Sequence, residues 1–309
     1  MIRFGNAPTS WGIEKPADPA YPLWQTVLDQ VAEAGYDGLE LGPRGFLPDR
    51  PEELAAELAK RRLELSAANV MTPLADRGST AELVRDAELT CDLAGALGAS
   101  YYVIIDGITP DRERTAGRSE DAQRLDGAAW RTLTDTVQRL AEVAAARDLV
   151  ATFHPHAGTR VEFRDEVERL LEDTDPALVR LCVDTGHSTY AGMDPVELCR
   201  TYADRLAYVH LKDLSVPVLD GARRDKAGFW EAYRRGVFCV LGRGSVDFVG
   251  LRRCLEDLGY DGWLTVEQDA SPTGDSVPLA DAIASRRFLA EVGFAGLGPG
   301  SDADGGGGR

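Results

Sequence analysis

The chain has 309 residues, 44% of them hydrophobic and 28% charged, a balance typical of a globular fold and long enough for one large domain or two ordinary ones. Its net charge of −17 repels a phosphate backbone and so disfavours nucleic-acid partners, while an acidic field accommodates a divalent cation. No apolar run reaches the roughly 18 residues of a membrane span. The opening MIRFGNAPTSWG has no basic stretch leading into an apolar one, so no membrane partner and a cytoplasmic location are expected.

In chain order, residues 2–7 read as a first strand, and 22–34 as a helix stopped by Gly35. Residues 38–41 form a second strand, 51–62 a helix and 63–69 a third strand. A long helix over 79–98 starts at a Ser/Thr cap, and ASYYVIIDG at 99–107 is a fourth strand. The rhythm then repeats. Helices over 127–147, 164–173, 194–203, 247–258 and 279–292 alternate with strands over 149–154, 179–184, 206–213 and 262–269.

These eight strand–helix units imply a parallel sheet with right-handed crossovers, and fit a single-domain (β/α)8 TIM barrel over residues 1–295. An open doubly wound sheet is the alternative. A dinucleotide-binding version would need GxGxxG after the first strand, and NAPTSWG does not supply it. Residues 214–246 interrupt the rhythm after strand seven. FWEAYRRGVF reads as a short helix and LGRGS as a Gly-rich turn, together a lid-like insertion. The tail 296–309 has the composition of a flexible linker. The five cysteines are odd in number and form no CxxC pair, so they read as reduced, mostly buried residues. Cys182 shares the inward parity of Asp184 but lies deeper, in the core.

In such a barrel, chemistry gathers at the C-terminal ends of the strands. All four histidines of this chain fall there: His154 and His156 after strand five, His187 after strand six, and His210 on strand seven. Alternate residues along a strand share a face. Thr152, His154 and His156 therefore point one way, as do Tyr208, His210 and Lys212, and Thr265, Glu267 and Asp269. Leu264, Val266, Val209 and Leu211 take the helix-packed side, which turns the polar set inward. Four successive strands thus aim His154, Asp184, His210 and Glu267 into one mouth. Two imidazoles and two carboxylates suit Mn²⁺ or Co²⁺ first, with Zn²⁺, Fe²⁺ or Mg²⁺ as alternatives. His156 is the alternative ligand to His154. Glu40, at the end of strand two, and Trp11 and Asn69 are candidate substrate contacts. No GxSxG occurs, and no cysteine stands beside a histidine at a strand end.

The motifs HPHAGT (154–159), VDTGH (183–187), YVHLKD (208–213) and GWLTVEQD (262–269) resemble those of the xylose isomerase-like TIM-barrel superfamily. With GVFCVLGRGSVDF (236–248), NAPTSWG (6–12) and LELGPRGFLP (39–48), the pattern is most similar to its inosose dehydratase branch, and it covers the chain to about residue 295. The resemblance implies a metal-dependent lyase acting on a small keto-polyol such as 2-keto-myo-inositol, by proton removal beside a metal-polarised carbonyl. The proton-moving groups are sought among His156, His187, Lys212 and Glu267. Lys212 would need a lowered pKa to act as a base; otherwise it holds a substrate oxygen or pairs with Asp213 or Asp269. In the isomerase and epimerase branches the strand-five ligand is usually a glutamate. Here His154 takes that place, which favours dehydration over the alternative, a metal-dependent sugar isomerase or epimerase. A non-catalytic metal- or sugar-binding barrel is the lesser alternative. The related endonucleases need more ligands and a basic face. Relatives of this kind are often dimers or tetramers, so a homo-oligomer is an expectation of the resemblance alone.

Overall fold

The computed structural model describes residues 2–76, 78, 80–269 and 277–294. Eight parallel strands close into a barrel in sequence order: Arg3–Asn6, Gly38–Glu40, Glu64–Thr72, Tyr101–Asp106, Val150–Phe153, Val179–Asp184, Leu206–Leu211 and Trp263–Val266. Closure places Arg3 opposite Trp263 and Asn6 opposite Val266. The Ser79 cap and the tail 296–309 lie outside the described residues, and no described helix is long and apolar enough to cross a membrane.

The period-two pattern divides the core. Outward residues such as Leu39, Phe153, Val209 and Leu264 pack against Leu28, Leu133, Leu170 and Leu251 of the surrounding helices. Inward residues Val103, Cys182, Tyr208 and Trp263 fill the barrel below its mouth. The fit is tight at Gly38, where a Cβ would fall 2.2 Å from the Glu64 carbonyl oxygen and 2.7 Å from the Trp263 ring. Only glycine lets the second strand approach so closely.

Among the elements that depart from the sequence reading, three shape the site. Strand seven stops at Leu211, and Asp213–Leu214 pairs instead with Phe238–Cys239 in a small antiparallel ribbon. The insertion holds two helices rather than one: the expected Phe229–Arg234, and Val216–Arg224, whose Pro217 sits in the first turn, where no amide is needed. Asp184 caps a short helix, Thr185–Tyr190, within the DTGH motif. Gly186 in that helix makes room for Lys212, whose Cγ lies 2.7 Å from where a Cβ would stand.

A buried ion group fixes the loop after strand five. Arg112 is fully buried and grips Glu166 through both carboxylate oxygens, at 2.5 and 2.9 Å, with Glu162 at 3.5 Å. Glu162 accepts the amides of Gly117 (2.6 Å) and Gly158 (3.0 Å), and burial pushes its carboxyl up to about 7. Arg112→Met leaves Glu162 without a cation and Glu166 with only Arg124, at 3.4 Å. Expected is a loss of about 3–5 kcal/mol, read as a lower urea midpoint at unchanged m.

Candidate metal and substrate site

The histidine pair after strand five is now placed. Ligand atoms of His154, Asp184, His210 and Glu267 all lie within 4.8 Å of one another. His154 Nε2 stands 3.4 Å from Asp184 Oδ2, and His210 Nδ1 stands 3.9 Å from that oxygen and 3.5 Å from Glu267 Oε2. His154 Nδ1 and Nε2, Asp184 Oδ2 and His210 Nδ1 are buried and make no hydrogen bond. Each such atom costs about 1–3 kcal/mol if nothing satisfies it. Their convergence, two imidazoles and two carboxylates in one group, fits a divalent cation.

Other bonds hold the four in place. Asp184 Oδ1 accepts the His187 amide at 2.7 Å, which leaves Oδ2 toward the cluster. Burial opposes ionisation of Asp184 and Glu267. The adjacent His154 ring and Lys212 hold Asp184 below its usual range, and Lys212 and His210 hold Glu267 well below its own. Thr9, in the helical turn Pro8–Trp11, donates to Glu267 Oε1 at 3.3 Å.

Glu40, expected as a substrate contact, is instead fully buried behind His210. Its Oε1 lies 2.8 Å from His210 Nε2 and accepts the Tyr208 hydroxyl at 2.8 Å, while Oε2 accepts Asn69 Nδ2 at 3.2 Å. A carboxylate there fixes the proton on Nε2 and turns Nδ1 to the cluster. Glu40→Gln is expected to lower metal affinity about 10–100-fold without unfolding the barrel, checked by metal titration alongside circular dichroism.

Above the cluster lies a cavity of about 410 Å³, within the range of small-molecule sites. His154, His156, Lys212, Glu267, Asp269 and Asn69 line its polar side, and Met71, Ile105, Ile108, Phe229, Trp230 and Tyr233 its apolar side. Trp11 is not among the lining residues. It is buried in the core, with Nε1 donating to Gln30 at 2.6 Å. His187 also lies off the cavity, packed against His156 with ring centroids 3.7 Å apart and the planes tilted by 33°.

His156 stands outside the four-residue group. Its Nδ1 lies 2.8 Å from the Ala157 carbonyl oxygen, which can only accept. The ring proton is therefore on Nδ1, and Nε2 keeps its lone pair. Burial, with His154 and Lys212 nearby, pushes its pKa down to about 3, so the ring is neutral at physiological pH.

Of the roles open to Lys212, the base that needs a lowered pKa is disfavoured and the paired cation is favoured. Burial opposes its charge, but Asp269, Glu267 and Asp184 raise its pKa well above the usual value. Its Nζ meets Asp269 at 3.1 and 3.2 Å and Glu267 at 3.2 Å. Asp213 plays no part there: its carboxylate accepts the amides of Leu214, Gly242, Gly244 and Val246 and so ties the Gly-rich turn to the small ribbon after strand seven. Asp269, which shares the parity of Glu267 and is a partner for Lys212, reaches the cavity wall from the segment just past strand eight, three residues beyond its end at Val266.

A barrel with this cluster at its mouth defines a metal-site enzyme scaffold, and the chain belongs to the xylose isomerase-like TIM barrel family, whose model matches residues 28–292. Among curated proteins it is 37% identical over 274 residues to the inosose dehydratase of Geobacillus kaustophilus, covering 88% of each chain. It is 29% identical over 289 residues to that of Bacillus velezensis, covering 93% of this chain and 95% of the other. Among solved structures, the IolI protein with a bound zinc atom superposes with a TM-score of 0.71 at 14% identity, over 94% of this chain and 97% of the other. D-psicose 3-epimerase from Clostridium cellulolyticum, solved with D-tagatose, has a TM-score of 0.69 at 16% identity, over 94% and 99%. Both structures share the fold.

Proposed function

We propose that this chain is a metal-dependent lyase that removes water from a keto-polyol, with 2-keto-myo-inositol the leading substrate. The observation that carries it is the meeting, at the floor of one cavity, of four convergent ligand atoms with a neutral imidazole and a buried ammonium. The curated relatives named for inosose supply the substrate class. His154, Asp184, His210 and Glu267 hold the cation, with Mn²⁺ or Co²⁺ best matched to two nitrogens and two carboxylates. When bound, it supplies Lewis-acid polarisation of the substrate carbonyl, worth several kcal/mol of barrier.

The chain's own groups do the rest. His156 Nε2 takes the proton from the carbon beside the carbonyl. Protonated, that imidazole is a strong acid, because its surroundings disfavour the charge, and it returns the proton to the departing hydroxyl as water. Lys212 keeps its proton and holds a substrate oxygen as a fixed positive charge. His187 backs His156 and keeps its ring in place. Asn69 and Asp269 bind hydroxyls. Residues 214–246 form the lid, with Phe229, Trp230 and Tyr233 as the apolar wall over a ring, on a domain spanning 1–295.

The test is product mass spectrometry in D₂O, with metal-loaded protein, 2-keto-myo-inositol and a panel of ketoses. Loss of one water from the inosose, absent in His156→Ala, is the expected result. Deuterium uptake without loss of water sinks the dehydratase reading in favour of an isomerase or epimerase.

A further inference from the structure

Cys182 lies one pleat below Asp184 on strand six, facing the same interior. It is fully buried and does not line the cavity. Its sulfur and one ring nitrogen each from His154 and His210 all lie within 4.8 Å of one another. Both rings are 1% exposed, and three of their four nitrogens have no hydrogen-bond partner. The fourth, His210 Nε2, is engaged by Glu40.

The two imidazoles therefore stand between two different donor sets. On the cavity side are the hard oxygens of Asp184 and Glu267. On the core side is a soft sulfur. Ligand softness sorts the ions: carboxylates with imidazole suit manganese and magnesium, whereas a thiolate with imidazoles suits zinc and cadmium. With Nε2 held by Glu40, His210 offers only Nδ1 and cannot serve two ions at once.

We propose that His154, Cys182 and His210 form a second, deeper site for thiophilic divalent cations, mutually exclusive with the site that includes Asp184 and Glu267. The proposal rests on the reading of His154 and His210 as metal ligands. On binding, the Cys182 thiol gives its proton to solvent and a sulfur–metal bond takes the place of S–H. An ion held there is withdrawn from Glu267 and the cavity. Zinc or cadmium then acts as an inhibitor that excess manganese relieves.

The experiment titrates chelator-treated full chain with Cd²⁺ alone, following ultraviolet absorption and bound metal together. The expected result is a thiolate-to-metal charge-transfer band that saturates at one ion per chain and fades as Mn²⁺ is added in excess. It disappears in Cys182→Ala and persists in the Asp184→Asn, Glu267→Gln double variant. Cadmium bound by the natural chain without such a band overturns the proposal while leaving the carboxylate site intact, whatever the variants do. A band that survives in Cys182→Ala overturns it as well, since the sulfur then comes from another cysteine. No cadmium bound at all overturns both the deeper site and the metal reading beneath it.

Discussion

His154→Ala is expected to strip the protein of its cation and reduce kcat/KM by about three orders of magnitude, the equivalent of several kcal/mol of Lewis-acid stabilisation. The substitution is clean because neither ring nitrogen of His154 makes a hydrogen bond, so no protein partner is orphaned. Removing His210 would leave Glu40 buried against nothing. The check is twofold. Metal content falls from one ion per chain to near none. Chelator lowers the melting temperature of the natural chain but not of the variant, because an ion present at about 100 times its Kd stabilises the fold by about 2.7 kcal/mol. A variant that keeps both its metal and its turnover would remove His154 from the centre.

Lys212→Met carries the second large effect. Methionine keeps most of the stem that lies against Gly186 and deletes only the charge. Losing a preorganised donor to a developing oxyanion is expected to reduce kcat about 10²–10³-fold. Stability changes too, and its sign depends on pH. Burial has already pushed Asp269 up to about 6, with Lys212 opposing and Glu267 adding to the rise. Without the ammonium that carboxyl rises further. A group whose pKa is higher folded than unfolded favours the fold while protonated and loses that contribution as pH rises through its folded value. The variant should therefore be nearest to the natural chain in acid and fall behind it toward neutral and alkaline pH. Urea midpoints at several pH values, set beside kcat at each, separate the folding loss from the catalytic one. Equal destabilisation at every pH would show that Lys212 does not hold Asp269 in its charged form.

The barrel was readable because each inter-helix apolar run is short and β-rich, and because period two carries polar residues to one side. That same period brought His154, Asp184, His210 and Glu267 together from four strands. It could not say how deep each inward residue lies. Glu40 has the right parity but sits behind His210, a layer set by the stagger of the strands rather than by any local pattern. Trp11 falls in a tight helical turn, where alternation does not apply, and its indole turns into the core. The direction of the Lys212 shift was also hidden. It depends on Asp269, Glu267 and Asp184, brought to one ammonium from two other strands. The helix Val216–Arg224 was missed because a proline in the first turn of a helix and a proline that breaks one look the same without their neighbours.

Asp184 divides its duties between two oxygens: Oδ1 caps the start of a helix and Oδ2 faces the cluster. Asparagine can do the first and not the second. A single-base change in an aspartate codon would therefore silence the chemistry and leave the barrel standing. After gene duplication, one copy would be a single step from becoming a stable, inert container for the same sugar, free to drift toward sensing or storage. Such copies should be recognisable by Asn-Thr-Gly-His where this chain has Asp-Thr-Gly-His, with every capping and packing residue around it unchanged.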